Sequence, residues 1–402
     1  MIRLHNQAPR SLRLLIISDS HAQSPLPEND SGRASWWVLG DPPDPKTDPV
    51  ESMLNLLRTH KPALTIDALL VPGDVCHQAH TAAFRLAWER LRLLAHELGG
   101  IPLIGTLGNH DVLSRTAAPS GPFGFAKLVP YFPVSADQAR RDYWSDGSAI
   151  VPLNADWDMV LINTAHHHYS EALAKTGTFE AASLEALSAR LANCARPPRI
   201  AMMHHHPMVH SHPAADSKDV LPTGDAVLNA LGGAGVKLVI HGHRHEPRFR
   251  RAGTRDMLVF ASGSYSIILE ELAPSVRNLF HVIDVSEDRD ALQGEIRSWE
   301  FNGGYGWSEA STKSTMLPHL ARFSSVRPAV PSVAATVAAL VAAQDPPWLE
   351  WERAMTQCND LGRLLPDELN ELNQVLATSH RIVSERDELG HIRRWTASDR
   401  DS

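Results

Sequence analysis

Short apolar runs that end in clusters of Asp, His and Asn constrain the fold of this 402-residue chain more than any other sequence feature. The first three runs are residues 12–18, 68–72 and 103–106, and each has the length and composition of a buried strand. Helical patterns lie between them, so strands and helices alternate along the chain. This order predicts an α/β sheet, and the carboxyl ends of its strands are where such sheets place reactive groups.

The helices between these strands have recognisable ends. Asp48, Pro49 and Glu51 supply the N-cap, the first helical position and the capping-box residue of a helix that runs to about residue 57. A second helical pattern, rich in apolar residues at helical spacing, ends at Gly99-Gly100.

The second half of the chain continues the sheet and then changes character. Further strands are predicted at residues 159–162, 200–203, 237–240, 257–261, 279–285 and 295–301, with a helix at 183–193. From about residue 307 the chain becomes Ala-rich and punctuated by Pro, and three helices are expected at residues 332–343, 348–358 and 366–388. We therefore predict a domain of residues 1–306 followed by a helical C-terminal extension of residues 307–402.

The amino-acid composition limits which partners this protein can bind and in which cellular compartment it is expected. The 38 Lys and Arg residues against 46 Asp and Glu give a net charge of −8, which does not favour a bulk electrostatic grip on nucleic acid. Three cysteines are too few for a disulfide framework and indicate a reducing compartment. The N-terminus lacks the apolar core of a secretory signal, and the apolar run 333–343 is too short to cross a bilayer. A cytoplasmic protein without a membrane partner is expected.

Five polar motifs follow the predicted strands, and all consist of residues that bind borderline divalent cations. They are Asp19-Ser20-His21, Gly73-Asp74, Gly108-Asn109-His110-Asp111, His204-His205-His206-Pro207 and Gly242-His243-Arg244-His245. Alternate residues of an extended chain share a face, so Asp-x-His and His-x-His direct both side chains to the same side. Any one motif is common in ordinary turns, whereas five in this order supply seven candidate ligands and predict a metal centre.

This ordered set of motifs resembles the calcineurin-like metallophosphoesterase superfamily, in particular its bacterial class III cyclic-nucleotide phosphodiesterases. The resemblance covers residues 12–302 and says nothing about residues 307–402. It implies a β-sandwich of two mixed sheets flanked by helices, with a two-metal site at the strand ends.

The resemblance also implies a role for each matched residue. Asp19, His21 and His245 would hold the first metal ion, Asn109, His205 and His243 the second, and Asp74 would bridge the two. His205 is selected from the triplet because the ligand in the family lies two residues before the Pro, and His204 and His206 remain alternatives. His110 matches the group that protonates the leaving group or stabilises the phosphoryl oxygens, and Asp111 matches its orienting partner.

The expected cofactors are two divalent cations, with Mn, Fe, Zn and Co all compatible with mixed nitrogen and oxygen ligation. Two cations about 3.5–4 Å apart hold a hydroxide between them and lower its pKa toward neutrality, so that it can attack phosphorus. A His of near-neutral pKa can then protonate the departing alkoxide. The expected reaction is hydrolysis of a small-molecule or nucleotide phosphodiester. A phosphomonoesterase or protein phosphatase, a nuclease and a scaffold without catalysis are the alternatives.

Several segments leave the function open. Residues 23–47 and 113–157 are predicted as long loops over the sheet ends, of the kind that form lids or insertions. His77, close to Asp74 in sequence, either lines the rim of the site or lies on the surface. The C-terminal extension either packs on the sandwich as a cap or uses Trp348, Trp351 and a stripe of leucines to bind a partner or a second copy.

Overall fold

The computed structural model describes residues 10–25, 32–40, 44–59, 65–113, 124–166, 170–209, 219–253, 255–268, 277–288, 290–312 and 317–398. Helices in these ranges are α1 (Pro49–Thr59), α2 (Thr81–Glu97), α3 (Gly124–Lys127), α4 (Asp137–Asp146), α5 (Glu171–Thr176), α6 (Ala181–Ala192), α7 (Gly224–Gly233), α8 (Val330–Ala342), α9 (Trp351–Gln357) and α10 (Pro366–His380). Strands are β1 (Arg10–Ile16), β2 (Ala68–Val71), β3 (Leu103–Gly105), β4 (Ser148–Pro152), β5 (Asp158–Ile162), β6 (Ile200–Met202), β7 (Leu238–His241), β8 (Pro247–Ala252), β9 (Met257–Ser262), β10 (Leu279–Asp288), β11 (Ala291–Asn302), β12 (Gly306–Glu309), β13 (Leu320–Ser324), β14 (Trp348–Glu350), β15 (Ile382–Arg386) and β16 (Ile392–Ala397).

Two mixed sheets form the body of the molecule. The first has the strand order β12-β11-β10-β1-β2-β3, with β13 also paired to β11. In it β1, β2 and β3 run parallel, and β10 runs antiparallel to β1. The second has the order β4-β5-β6-β7-β9-β8, in which the four middle strands are parallel and the two edge strands antiparallel. The predicted α/β class with two mixed sheets is confirmed.

Strand β1 shows why the buried part of a strand consists of apolar residues. Leu12, Leu14 and Ile16 point into the core between the two sheets, where they join Leu161 of β5. Leu15 points to the opposite face and belongs to the core beneath α1 and α2. Both faces of the strand are covered from Leu14 to Ile16, and these three residues are all apolar, whereas the exposed Arg10 and Ser11 and the half-buried Arg13 precede them.

The second sheet is covered on its outer face by helices α6 and α7. Leu187 of α6 and Leu231 of α7 pack with Val160 and Val239 in a third core. Helices therefore flank a sandwich of two sheets, and the parallel strands of each sheet end in the loops that carry the polar motifs.

The predicted division after residue 306 does not coincide with an end of the first sheet. Both β12 and β13 pair with β11 and so extend that sheet to Ser324. Trp307 is buried in the core beneath α1, and its indole N–H donates a hydrogen bond of 2.8 Å to the Pro49 carbonyl. These two strands are short and carry few consecutive apolar residues, so no strand was predicted there. We propose that the division lies after Ser324.

The C-terminal module, residues 325–398, is not helical throughout. Helices α8, α9 and α10 pack with a three-stranded antiparallel sheet of order β14-β16-β15. The helix predicted at 366–388 ends at His380, where Arg381 has a φ of +56° and the chain turns back as β15. Leu372 and Leu376 of the expected stripe are buried inside the module, together with Trp395. Most of the apolar surface that suggested a partner is used internally, and binding of a partner or second copy stays a prediction.

A buried ion pair joins the C-terminal module to the sandwich. Arg251 of β8 and Glu368 of α10 have side chains that are 5% and 9% exposed, with Nε and Oε1 2.8 Å apart. Arg251 also donates to the carbonyls of Ser324 and Arg363 at 2.8 and 3.2 Å.

The two segments predicted as long loops contain regular structure. Helix α4 and strand β4 fall inside residues 113–157, and Gln23 and Val38 form an isolated bridge inside residues 23–47. Residues 26–31, 41–43 and 114–123 of these segments lie outside the described residues. Among the helices that the structure describes, none has the length and apolar character needed to cross a membrane.

Candidate metal centre

The five polar motifs meet at one edge of the sandwich. Asp19 and His21 follow β1, Asp74 follows β2, Asn109 to Asp111 follow β3, His204 to His206 follow β6, and His243 and His245 follow β7. The first three strands belong to one sheet and the last two to the other. Because parallel strands present their carboxyl ends at the same edge, both sheets contribute side chains to one cluster.

Five residues of this cluster have a left-handed backbone conformation. The φ angles are 50° at Asp19, 45° at His21, 51° at Asp74, 88° at His243 and 60° at His245. A non-Gly residue in that region costs about 1–3 kcal/mol, and such strain concentrates at functional sites. The strain favours a functional role for the cluster over an incidental set of turns.

Two motif glycines are required by the close approach of the backbone to site carboxylates. A Cβ on Gly108 would lie 2.1 Å from Asp74 Oδ1, and a Cβ on Gly242 would lie 2.2 Å from Asp19 Oδ2. Either contact is far below van der Waals distance, so a larger residue would displace the carboxylate.

The first ligand group consists of Asp19, His21, Asp74 and His245, whose ligand atoms all lie within 4.8 Å of one another. His21 Nε2 is 3.1 Å from His245 Nε2 and 3.6 Å from Asp74 Oδ2. His245 Nε2 is 3.5 Å from Asp19 Oδ1, which itself accepts the His243 N–H at 2.9 Å. The structure brings together the residues predicted for the first metal ion and Asp74.

The second ligand group is centred on Asn109. Asn109 Oδ1 lies 3.0 Å from His204 Nε2 and 2.9 Å from His243 Nδ1. His204 Nε2 is also 3.4 Å from Asp74 Oδ2. The group therefore contains two of the three predicted ligands, Asn109 and His243, and it adds His204.

Asp74 lies between the two groups. Its Oδ2 faces His21 on one side and His204 on the other, whereas its Oδ1 accepts the His110 N–H at 2.7 Å. One oxygen is thus fixed by the backbone and the other is shared, which is the arrangement that a bridging carboxylate requires.

His205, the ligand expected from the sequence, is turned away from Asp74 and Asn109. Its Nδ1 accepts from the Thr164 hydroxyl at 2.7 Å, and its Nε2 donates to the Ala174 carbonyl at 3.1 Å. Its ligand atom still lies within 4.8 Å of those of His204 and His243. Three consecutive histidines are equally competent ligands by residue type, so the sequence could not select among them.

The hydrogen bonds of the rings indicate how well this site fits a cation. His204 Nδ1 donates to the Pro72 carbonyl at 2.8 Å, and His243 Nε2 donates to the Lys175 carbonyl at 2.8 Å. In a neutral imidazole the other nitrogen then carries a lone pair, and in both rings that nitrogen faces Asn109 Oδ1. At His243, whose pKa burial lowers well below the usual range, two acceptors thus face one another without a hydrogen between them, which fits a shared cation. Mixed oxygen and imidazole donors suit a borderline divalent metal.

Burial and mutual proximity shift the pKa values of the site. Burial raises the pKa of Asp19 to about 7. Burial alone would raise the pKa of Asp74, but the imidazoles of His204 and His110 lower it well below the usual range. Burial opposes a charge on His204, but the Asp74 carboxylate outweighs it and raises the pKa of His204 to about 9. Burial lowers the pKa of His245 to about 4. Without metal, a proton on His204 Nε2 thus occupies the space between Asp74 and Asn109.

His110 has a fixed backbone and a partly exposed ring. Its N–H donates to Asp74 and its carbonyl accepts the Ala79 N–H at 2.6 Å. The His110 ring lies edge-on to His21 at 4.6 Å and stacks on His77 at 5.4 Å. His77, which the sequence left between the rim and the surface, therefore lies beside the candidate general acid.

Asp111 is buried and fully occupied by backbone amides. Its Oδ1 accepts the Cys76 N–H at 2.9 Å and its Oδ2 accepts the Gly108 N–H at 3.0 Å. These bonds tie the loop after β3 to the loop after β2. The carboxylate thus orients the His110 loop through the main chain, and its role as the orienting partner of His110 stays a prediction.

Comparison with known proteins bears on this site. The sequence model of the family described as calcineurin-like phosphoesterase matches residues 12–247, which is more than half of the chain. A probable cyclic nucleotide phosphodiesterase of Psychrobacter sp. (strain PRwf-1) is 29% identical over 189 residues. That match covers 46% of this chain and 48% of the relative, so the chain spans about half the length of the curated relative it matches.

Solved structures with related folds are more distant. GAP50, the anchor in the inner membrane complex of Plasmodium, has a TM-score of 0.41 at 13% identity, covering 76% of this chain and 91% of that one. Vps29 of Entamoeba histolytica in complex with Zn²⁺ has a TM-score of 0.32 at 12% identity, covering 78% and 100%. A predicted phosphoesterase of Streptococcus pneumoniae TIGR4 has a TM-score of 0.29 at 12% identity, covering 74% and 94%. At these TM-scores the similarity carries no argument about function.

Proposed function

The chain belongs to the calcineurin-like phosphoesterase family, and we propose that it is a phosphodiesterase that works with two divalent metal ions. The observation that carries this proposal is the position of Asp74 Oδ2 between two separate groups of buried ligands. A site for a single ion would need only one of these groups.

We assign Asp19, His21 and His245 to one ion, Asn109, His204 and His243 to the other, and Asp74 to both. His204 replaces His205 in this set because its Nε2 faces Asp74 and Asn109, whereas both His205 nitrogens bond to Thr164 and Ala174. His205 then binds no ion, and its ring packs against that of the ligand His243.

Two bound cations would supply charge neutralisation for the phosphoryl oxygens and an ionised water at neutral pH. The chain itself supplies the proton for the leaving group: His110 has a partly exposed ring at the mouth of the ligand cluster, held there by the bond from its N–H to Asp74. Asp111 keeps this loop in place, and the stacked His77 ring restricts the orientation of His110.

A small phosphodiester is the proposed substrate class, with a cyclic nucleotide as the first candidate. The partial match to a probable cyclic nucleotide phosphodiesterase supports this choice. The net charge of −8 disfavours long nucleic acids, because their binding depends on neutralising many phosphates. Three unpaired cysteines support a cytoplasmic location.

The deciding experiment compares hydrolysis of bis-p-nitrophenyl phosphate, p-nitrophenyl phosphate and cyclic AMP with Mn²⁺, Fe²⁺, Zn²⁺ or Co²⁺ and after chelation. We expect chelator-sensitive turnover that favours the diesters. Preference for the monoester would replace the proposal by a phosphomonoesterase. Absence of turnover together with absence of bound metal would leave a scaffold.

A further inference from the structure

The carboxyl end of helix α5 contacts two histidines of the metal centre. The Lys175 carbonyl accepts from His243 Nε2 at 2.8 Å, and the Ala174 carbonyl accepts from His205 Nε2 at 3.1 Å. The last four carbonyls of a helix have no donor within the helix. Here two imidazole N–H groups supply the missing donors, so the helix end and the histidines satisfy one another.

The bond to Lys175 fixes which nitrogen of His243 faces the site. With its proton held on Nε2, the His243 ring must present the lone pair of Nδ1 to Asn109, 2.9 Å away. A partner of this kind sets both the tautomer and the orientation of a metal-binding imidazole, and its loss usually costs 10- to 100-fold in metal affinity.

Gly177 is the residue that allows the chain to leave α5 at this point. It has a φ of +70°, and a Cβ there would lie 2.5 Å from Cγ and 2.6 Å from Nδ1 of His205. The His205 ring in turn lies 4.6 Å from the His243 ring, between centroids. A side chain at Gly177 would therefore displace the His205 ring, which packs against the His243 ring.

We propose that the carboxyl end of α5 positions His243 for the second metal ion. Gly177 is the positioning residue, because it brings the Ala174 and Lys175 carbonyls within hydrogen-bond distance of the His205 and His243 rings. This inference rests on the proposed function, because it concerns one of the two proposed metal sites. It predicts that the second site depends on α5 while the first, built from Asp19, His21 and His245, does not.

The test is the variant Gly177→Ala with Gly100→Ala as its matched control. Gly100 has a φ of +74°, close to that of Gly177, but nothing lies within 4 Å of its Cβ position. Both variants place a Cβ at a residue with positive φ, and only Gly177→Ala disturbs His205. Gly177 also has a ψ of 171°, so its substitution adds backbone strain that the double variant below reproduces and the Gly100 control does not. Zn²⁺ stoichiometry and both affinities are measured by calorimetry on the metal-free full chain, with circular dichroism as the check on folding.

We expect two ions in the wild type and in Gly100→Ala with the same affinities. In Gly177→Ala we expect one ion bound as in the wild type and a second bound 10- to 100-fold more weakly. Equal affinities in the two glycine variants would overturn the positioning role. A wild type that binds no metal would instead remove the proposed function and this inference with it.

A second variant covers the case in which Gly177→Ala does not fold. In the double variant Gly177→Ala/His205→Ala the added Cβ has room, and the Lys175 carbonyl can again reach His243. We expect the second site to regain affinity relative to Gly177→Ala, or the fold to be restored with both ions bound. A folded double variant that holds a single ion, beside a His205→Ala variant that holds two, would contradict the proposed path through His205.

Discussion

His204 and His205 are adjacent, both fully buried, and differ in what their ring nitrogens face. His204 Nε2 lies near Asp74 and Asn109, and His205 bonds to Thr164 and Ala174. We expect His204→Ala to lose one of two ions and nearly all activity. His205→Ala should keep two ions and weaken only the second, within about 100-fold. Metal analysis after dialysis distinguishes the two variants. If His205→Ala loses an ion and His204→Ala does not, the assignment expected from the sequence is restored.

His110 contributes its ring to the site, while only its backbone contacts Asp74. Replacing it with Ala keeps that backbone bond and removes the proton donor. We expect full metal content and a kcat lower by about 10²- to 10⁴-fold. A substrate with a good leaving group, such as a p-nitrophenyl diester, should lose less than cyclic AMP. Loss of metal in His110→Ala would make the ring a ligand, and equal losses on both substrates would exclude a general acid.

The pKa values of His204 and Asp19 predict how metal binding varies with pH. The pKa of His204 is raised to about 9 and that of Asp19 to about 7, and both must lose a proton to bind metal. Affinity for the ions should therefore rise with pH up to about 9, with proton release on binding. In the metal-free chain the stability that the raised pKa of His204 provides is present below its unfolded value of 6.5 and lost as pH rises through about 9.

Calorimetric titrations with Zn²⁺ at pH 6.5 and 7.5, in buffers of different ionisation enthalpy, measure the metal affinity and the number of protons released on binding. In His204→Ala the proton release should fall by up to one per chain. Affinity that is flat between these pH values would contradict the assignment of His204 as a ligand.

At the scale of elements, the sequence located the strands that carry the site better than those around it. Residues 68–72, 103–106 and 200–203 were predicted within one residue of β2, β3 and β6, because buried parallel strands read as apolar runs. Strand β8 was missed because its Arg248 and Arg250 break that pattern at a sheet edge. Strand β15 was missed because a helical stripe through 366–376 was extrapolated past Arg381, and β16 lies beyond the last predicted element.

The candidate site could be predicted in its residue types but not in every position. Spacing of Asp19, His21, His243 and His245 places ligands on one side of a loop, and the structure brings them together. The choice within the His triplet depends on how the chain turns after β6, which residue type does not reveal. The contribution of α5 is made by main-chain carbonyls, so the side chains of Ala174 and Lys175 gave no signal.

The junction between β8 and α10 provides a test at the same scale. Removing one partner of a buried ion pair leaves an uncompensated charge, at a cost of about 3–5 kcal/mol. We expect Arg251→Met to lose up to this unfolding free energy, because the Glu368 carboxylate is 9% exposed. That carboxylate keeps as partners the half-exposed Arg327, at 3.2 Å, and the Leu365 N–H. The control Arg92→Met removes a pair with Glu89 on the exposed face of α2 and should cost less than about 1 kcal/mol. Urea unfolding measures both, and equal losses would mean that the junction adds no more stability than a surface pair.

The ligand set links two sheets whose shared core is largely apolar, with a few buried hydrogen bonds such as that from His281 Nε2 to the Ser262 carbonyl at 2.7 Å. Asp19, His21, Asp74 and Asn109 come from the first sheet, and His204, His243 and His245 come from the second. Bound ions would therefore join the sheets at the edge where strained, buried polar groups lie. The C-terminal module has its own core and contacts this body at β8, which begins two residues after His245, and at Ser311 and Thr312, which donate to the Leu389 carbonyl.

Metal binding should consequently stabilise the sandwich more than the C-terminal module. A ligand that binds only the folded state at 100 times its Kd adds about 2.7 kcal/mol per site, and two such sites correspond to a rise in Tm on the order of 10 °C. We expect chelation to lower the Tm of the wild type by this amount. Asp74→Asn removes the charge shared by both groups, so its Tm should be insensitive to chelation and its turnover nearly abolished. Differential scanning calorimetry with and without chelator makes the comparison. An Asp74→Asn variant that responds to metal like the wild type would show that the ions bind elsewhere.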